Sequence, residues 1–239
     1  MLMLTPFQNL SYTHSPWIAL LEKDVEFNHE IIDLKNKPRE FVAKYKQASG
    51  GYGSGLVPLL EDGDNLVIES DVVTKYVAQN IDGKGGQGNN LYPNSEEDYA
   101  LIHSFLSNWQ RVTDDYYDVL RATSQKEVEK RQKEFIKRLA VMEALLQERD
   151  GAFVLGDEFS HAECISAPWI QRFFVTLPYF RGVDFESDIL AQFKCLSRWM
   201  KAVCARPSCL ESRCPEDEMI AACKRYYVSF VSPGAKGSL

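Results

Sequence analysis

Two short apolar runs decide the fold of this chain: Gly55-Leu56-Val57-Pro58-Leu59-Leu60-Glu61 and Leu66-Val67-Ile68-Glu69-Ser70. The turn sequence Asp62-Gly63-Asp64-Asn65 separates them, and this arrangement predicts a β-hairpin. Pro58 lacks the N–H group that a central strand needs, so it is expected at the entry of its strand or in a special turn. An X-Pro bond in such a position can be cis.

A helix is predicted directly after the second run. Apolar residues between 72 and 77 are spaced for one helix face, and either Ser70 or Asp71 can cap that helix. The free N–H groups at a helix start bind anions, and Val57 offers a backbone edge nearby in sequence. Together these features predict a site for a small, charged, peptide-like ligand.

Composition and charge narrow the functional classes. The chain has 239 residues, of which 45% are apolar and 26% charged, and its net charge is −7. This acidic balance argues against nonspecific nucleic-acid binding, which needs a basic surface. No apolar run has the length of a membrane span, and the first residues do not resemble a signal peptide, so a cytoplasmic protein is expected. The six cysteines show no CxxC or zinc-site spacing, so we expect free thiols and no metal.

The order of predicted elements indicates two domains. Residues 1–82 alternate as β-α-β-α-β-β-α, with a strand over 26–34, a helix over 37–45 and a flexible glycine-rich loop over 48–55. Residues 83–95 are rich in Gly and Asn and are predicted to be a linker.

Residues 96–239 show helical periodicity almost throughout. Ser160-His161-Ala162-Glu163 has the S-x-x-E pattern of a capping box. The last residues, 232–239, are predicted to be disordered.

A small mixed α/β half, a linker and an all-helical half resemble the soluble glutathione transferase family over nearly the whole chain. The residues that carry this resemblance are Leu34-Lys35-Asn36-Lys37-Pro38, the two apolar runs quoted above and, near the C-terminus, Arg198-Trp199-Met200 with Ala205-Arg206-Pro207-Ser208. Among the classes, the N-terminal half looks most like the omega-type and related serine or cysteine enzymes. The resemblance implies a thioredoxin-like N-terminal domain, an all-α C-terminal domain and a homodimer.

The resemblance also implies a glutathione site. Val57, before a cis Pro58, would present its backbone to the cysteinyl part of glutathione. Glu69 would bind the γ-glutamyl ammonium, and Ser70 with the helix N–H groups would bind the carboxylate. Lys37 matches a lysine that pairs with the glycine carboxylate.

The catalytic hydroxyl is less clearly marked, because no cysteine precedes Cys164. Counting back from the helix at 17–23 places the family's catalytic position at Ser11, with one residue deleted from the usual motif. The local helix rule favours Ser15 instead, because Ser15-Pro16 is a good N-cap and N1 pair. Both candidates remain open from the sequence.

The second substrate is expected to be a small apolar electrophile. Its candidate pocket walls are five aromatic residues, although aromatic residues at helical spacing usually pack into the core instead: Tyr12, Trp109, Tyr116, Trp169 and Phe173. The expected function is conjugation of glutathione to that electrophile. The alternatives are thiol transfer or dehydroascorbate reduction, which normally need the missing cysteine, and a non-catalytic binding protein of the same fold.

Overall fold

The chain folds into two compact units. The computed structural model describes residues 2–5, 11–83, 90–148 and 150–238, and for residues 2–5, 11 and 12 it describes the backbone alone. Unit 1 is Met1–Tyr92 and unit 2 is Pro93–Leu239. The division lies inside the segment 83–95, whose role as a linker stays a prediction.

Unit 1 has the order β-α-β-α-β-β-α that the sequence predicts. Its elements are β1 (Leu2–Thr5), α1 (Ser11–Glu22), β2 (Phe27–His29), α2 (Arg39–Ala48), β3 (Leu59–Asp62), β4 (Asn65–Ile68) and α3 (Ser70–Asn80). The strands form one sheet in the order β2-β1-β3-β4, in which β1 and β2 are parallel and the other pairs are antiparallel. A parallel pair needs a crossover connection, and α1 supplies it.

The strand predicted over 26–34 is wrong in length, since β2 covers only Phe27–His29. Among the described residues it lies at the edge of the sheet, where Phe27–His29 pair with the first three residues of β1. The alternating pattern over 26–34 therefore extends past the residues that form the strand.

The β3–β4 hairpin is confirmed, with Leu59 opposite Ile68 and Asp62 opposite Asn65. Leu59 is fully buried in an apolar cluster with Ile32, Phe41 and Tyr45. This cluster joins the hairpin to α2, so the hairpin is fixed on one face by packing as well as by its strand pairing.

Unit 2 is built around one buried helix. Its α-helices within residues 93–148 and 150–238 are α4 (Glu96–Arg121), α5 (Gln125–Leu146), α6 (His161–Arg181), α7 (Lys194–Ala205), α8 (Pro207–Glu211) and α9 (Glu216–Tyr226). Helix α6 packs against α4, α7 and α9, and most of its side chains are buried. Among the described residues, no helix combines the length and the apolar character that crossing a membrane requires.

The predicted capping box at the start of α6 is confirmed. Both the backbone N–H and the hydroxyl of Ser160 donate to Glu163 Oε2, at 2.9 and 2.7 Å. The other oxygen, Oε1, accepts from Val154 N at 2.8 Å and from Trp199 Nε1 at 2.9 Å. Glu163 therefore links the start of α6 to the preceding loop and to α7.

The prediction that 232–239 is disordered is wrong for the part described, 232–238. Ser232 N donates to Phe180 O at 3.0 Å, Ser232 and Ala235 are buried, and a 3-10 turn covers Lys236–Ser238. The polar and glycine-rich composition gave no sign of this packing, because it depends on contacts with α6, far away in sequence.

Arg181 holds the end of α6 in place. Its guanidinium donates to the carbonyl oxygens of Val119 at 2.9 Å, Leu120 at 2.6 Å and Phe230 at 2.6 Å. Burial lowers the pKa of Arg181 to about 10. The carbonyl groups at helix ends are partly negative, so they offset part of the cost of burying this cation.

Candidate functional site

The Val57–Pro58 peptide bond is cis, as expected. Val57 lies just before β3, and its side chain packs against the cluster of Ile32, Phe41, Tyr45 and Leu59. Within the described part of the chain, neither the N–H nor the C=O of Val57 takes part in a hydrogen bond. A backbone edge in this state can accept an extended peptide as an added strand.

Helix α3 begins without a side-chain cap. The N-cap position is Glu69, which has φ 70° and makes no side-chain cap hydrogen bond, and Ser70 is the first helical residue. The prediction that Ser70 or Asp71 caps this helix is therefore wrong, because the chain turns into the helix one residue earlier. A glutamate with positive φ costs about 1–2 kcal/mol, and the surrounding structure must hold it there.

The start of α3 carries two carboxylates, Glu69 and Asp71. Desolvation of the Asp71 carboxyl group by nearby protein atoms is the main reason that its pKa is raised above its usual value, and the nearby Glu69 charge adds to the effect. Both side chains are nonetheless exposed to solvent. The uncapped helix N–H groups beside these carboxylates can bind a group that carries both a negative and a positive charge.

Lys37 lies directly before Pro38, the N-cap residue of α2. Its Nζ donates to Ser54 O at 3.0 Å, three residues before Val57. An ammonium group has three N–H donors, so this bond leaves others for a ligand carboxylate. The structure therefore brings Lys37 to the segment that leads into Val57.

The loop over 48–55 is predicted to be flexible, but it lies against α2. A Cβ atom on Gly53 would be 2.7 Å from the Tyr45 ring, and one on Gly55 would be 2.9 Å from the Phe41 ring. Sequence reasoning did not single out Phe41 or Tyr45. Their spacing of four residues on one helix face was the available signal.

The two catalytic candidates lie in α1. The described part of α1 runs from Ser11 to Glu22, and the side chain of Ser11 lies outside the described residues. Ser15 is only 3% exposed and lies inside the helix, followed by Pro16. The alternative start at Ser15 and Pro16, which the local helix rule favoured, is wrong, because Pro16 lies inside α1, which packs against α3.

Most of the proposed pocket walls are core residues of unit 2. Trp109, Tyr116 and Phe173 are 1%, 0% and 0% exposed and contact one another, with ring centroids 5.8 Å apart for Trp109–Phe173 and 4.8 Å for Tyr116–Phe173. Their assignment as pocket walls is corrected, since aromatic residues at helical spacing pack inward. Trp169 is half-buried, and the side chain of Tyr12 lies outside the described residues.

Two thiols of unit 2, those of Cys204 and Cys214, are poorly placed for redox chemistry. All six cysteines are free, as expected. Burial raises the pKa of Cys204 and of Cys214 to about 11, so both thiols are protonated near neutral pH. Among the described residues, no group of three or more His, Cys, Asp or Glu side chains is arranged to hold a metal ion.

Comparison with known proteins connects this geometry to a family. The family model described as "Glutathione S-transferase, N-terminal domain" matches residues 11–80, and "Glutathione S-transferase, C-terminal domain" matches residues 125–202. The two matches together cover more than half of the chain.

Similar proteins and structures agree with those matches. "Glutathione S-transferase F6" from Arabidopsis thaliana is 28% identical over 207 residues, covering 80% of this chain and 88% of the relative. "Glutathione S-transferase L2, chloroplastic" from the same organism is 28% identical over 223 residues, covering 90% and 68%. The crystal structure of glutathione transferase Omega 3C from Trametes versicolor has a TM-score of 0.77 at 20% identity, covering 94% of this chain and 90% of that one. The chain therefore belongs to the glutathione transferase family of enzymes and has its fold, a thioredoxin-like N-terminal unit followed by an all-helical unit.

Proposed function

We propose that this protein binds glutathione at one end of the β3–β4 hairpin and joins its thiolate to an apolar electrophile. One observation carries the proposal: Leu59 and Ile68 face each other across the hairpin. Cross-strand partners lie about 5 Å apart, so the residues just outside this pair, Pro58 and Glu69, leave the sheet side by side. The backbone edge at Val57 and the start of α3 therefore face one region of unit 1.

Each part of glutathione has a chemically suitable partner there. The cysteinyl amide would pair with the backbone of Val57, as a short added strand. The γ-glutamyl carboxylate would bind Ser70 and the N–H groups of α3, and its ammonium would bind Glu69. The glycine carboxylate would bind Lys37.

The proposed catalytic group is Ser11, with Ser15 as the alternate. A free thiol has a pKa near 8.5, so most of it is protonated at neutral pH. A hydrogen bond to the thiolate, about 1.5–3 kcal/mol, would lower that pKa by about one to two units. Ser11 is the first described residue of α1, whereas Ser15 is buried four residues further along the helix, and this difference favours Ser11.

Two other functions remain as outcomes of the tests. Thiol transfer or dehydroascorbate reduction normally uses a cysteine beside the glutathione sulfur, and no cysteine precedes Cys164. That function would require a serine to stand where the natural protein has a cysteine. A non-catalytic glutathione-binding protein would keep Val57 and Glu69 but have no active hydroxyl.

Binding of glutathione is measured by titration calorimetry on the full chain and by retention on immobilised glutathione. Glu69→Gln and Lys37→Met should each weaken binding about tenfold, since each removes one charge-assisted contact of roughly 1.4 kcal/mol or more. Lys35→Met is the matched control, because Lys35 is an exposed lysine two residues away. Equal effects of the two lysine variants would refute the role of Lys37, and no binding by the unaltered chain would refute the proposed function.

Catalysis is measured as conjugation of glutathione to 1-chloro-2,4-dinitrobenzene by the unaltered chain, Ser11→Ala and Ser15→Ala. Loss of activity in Ser11→Ala, with glutathione affinity retained, is the expected result. Loss in Ser15→Ala alone would transfer the role to Ser15. Binding without conjugation would identify a binding protein, and reduction of a mixed disulfide by Ser11→Cys alone would identify Ser11 with the position of the family's cysteine.

A homodimer and a cytoplasmic location also belong to the proposal, from the family resemblance. Sedimentation equilibrium tests the first, with about twice the chain mass of 27.3 kDa expected. Fractionation of cells that produce the protein tests the second.

A further inference from the structure

We propose that Phe41 and Tyr45 are positioning residues for the glutathione site. Their rings form an aromatic platform on α2, on which residues 53–55 lie, and this platform sets the position of Val57. The inference rests on the proposed glutathione site, and it concerns how the protein holds that site in shape.

The first step in the argument is the close approach of two glycines to the platform. A Cβ on Gly53 would lie 2.7 Å from Tyr45 Cε1, and a Cβ on Gly55 would lie 2.9 Å from Phe41 Cε1. Carbon atoms that are not bonded to each other lie about 3.5–4.0 Å apart at best. The backbone at these two positions can therefore lie on the rings only because no side chain is present.

Two neighbouring glycines show that the backbone conformation alone does not explain this arrangement. Gly50 and Gly51 have φ +69° and +97°, and Gly53 and Gly55 have φ +82° and +81°. All four conformations favour glycine. However, a Cβ on Gly50 or Gly51 would meet nothing within 4 Å. Contact with the platform therefore separates the two later glycines from the two earlier ones.

The loop is held between the two platform contacts as well. Lys37 Nζ donates to Ser54 O at 3.0 Å. Residues 53, 54 and 55 are thus each held by a different residue of α2 or its start. Val57 follows two residues later, so a shift of this segment passes directly to the backbone that the ligand would contact.

The platform also supports the other end of the site. Val57 and Ile68 both pack against the cluster that contains Phe41 and Tyr45, and Ile68 directly precedes Glu69. Burial raises the pKa of the Tyr45 hydroxyl, and the negative charge of Glu69 raises it further. One rigid cluster thus sets the spacing between Val57 and Glu69, the two ends that a tripeptide would bridge.

The test compares Gly53→Ala with Gly51→Ala in the full chain. Both add a methyl group at positive φ, so the cost of backbone conformation is similar, but only Gly53→Ala must move the loop and the Tyr45 ring apart, by roughly 0.8 Å or more. We expect the glutathione Kd of Gly53→Ala to be about tenfold above that of Gly51→Ala, while kcat at saturating glutathione differs less than about twofold. Equal Kd values would overturn the proposal.

A second pair of variants tests the ring itself. Tyr45→Phe keeps the flat ring and Tyr45→Leu removes it, so Tyr45→Phe should bind glutathione about five- to tenfold more tightly than Tyr45→Leu. Equal weakening in both would mean that the hydroxyl, and not the ring, is what matters, and would overturn the platform.

Amide hydrogen exchange separates this proposal from the proposed function. Peptides that cover residues 53–60 should exchange faster in Gly53→Ala than in Gly51→Ala, with or without glutathione. If the unaltered chain does not bind glutathione but this difference is seen, the platform holds and the ligand is wrong. If exchange is the same in both variants, the platform is refuted whatever the ligand.

Discussion

Replacing Glu163 by glutamine should strongly destabilise unit 2 while changing almost no volume. The Glu163 side chain is fully buried and its two oxygens accept four hydrogen bonds. Glutamine turns one of the two oxygens into an NH2 group. The carboxylate only accepts hydrogen bonds, whereas the amide that replaces it also donates them.

The size of the expected loss of stability follows from the hydrogen-bond donors that surround the Glu163 side chain. If the NH2 group takes the place of Oε1, it faces Val154 N–H and Trp199 Nε1–H. If it replaces Oε2, it faces Ser160 N–H, although the Ser160 hydroxyl can rotate to accept. At least one buried donor loses its partner, at about 1–3 kcal/mol, and the remaining bonds lose their charge assistance. We expect a loss of about 3 kcal/mol, or about 6–12 °C in Tm for a chain of this length.

The assay is urea unfolding followed by tryptophan fluorescence and by circular dichroism. Because two-unit chains can unfold in steps, both signals are needed to assign the transition. The control is Glu127→Gln, since Ser124-Gln125-Lys126-Glu127 repeats the S-x-x-E pattern at the start of α5, but its glutamate is only half-buried. Its effect should be small by comparison.

Two results would contradict this reasoning. Equal destabilisation by Glu163→Gln and Glu127→Gln would mean that the burial of Glu163 and its bonds to Val154 and Trp199 add nothing. A Glu163→Gln variant as stable as the unaltered chain would mean that the network tolerates a buried donor facing a donor.

Three further changes have expected outcomes. Arg181→Met should lower the free energy of unfolding by about 3–5 kcal/mol, because several buried carbonyl groups lose their donor, and limited proteolysis should then remove residues after 228. A hydrogen bond from Lys44 to Glu61 is the main cause that raises the pKa of Lys44 above 10.5, so this pair stabilises the fold fully below that pH and less as pH rises through the higher folded-state value. Glu61→Gln should therefore cost about 1 kcal/mol in urea unfolding at about pH 8 and less at about pH 11; an equal cost at both would refute the pairing. Gly151→Ala should cost about 3 kcal/mol in the same assay, because its Cβ would lie 2.3 Å from the Gly156 backbone at φ +121°, whereas Gly63→Ala, with open space, should cost about 1 kcal/mol.

Local sequence was sufficient wherever a few neighbouring residues set the structure. The turn at Asp62–Asn65 and the capping box at Ser160 were both predicted from neighbouring residues, and both are present. In each case the deciding contacts join residues within a few positions of one another. A short stretch of sequence therefore contains all the residues that decide the local structure.

Prediction failed where distant contacts outweighed local preference. The Ser15-Pro16 pair has the local pattern of a helix start, yet α1 runs through it. Helix α7 has no cap from its own N-cap residue, and Glu143 of α5 accepts from Cys195 N at 3.0 Å and Leu196 N at 2.7 Å instead. No local rule can find a cap that lies some fifty residues away.

For the candidate site, the sequence by itself determined which groups are available: the backbone edge at Val57, the carboxylate of Glu69 and the ammonium of Lys37. Only the tertiary structure decided how they are held. The aromatic platform, the contact from Lys37 to Ser54 and the positive φ of Glu69 come from packing between α2, the loop and the hairpin. The physical reason is that hydrogen-bonding and turn preferences act over a few residues, whereas close packing joins whatever the folded chain brings together.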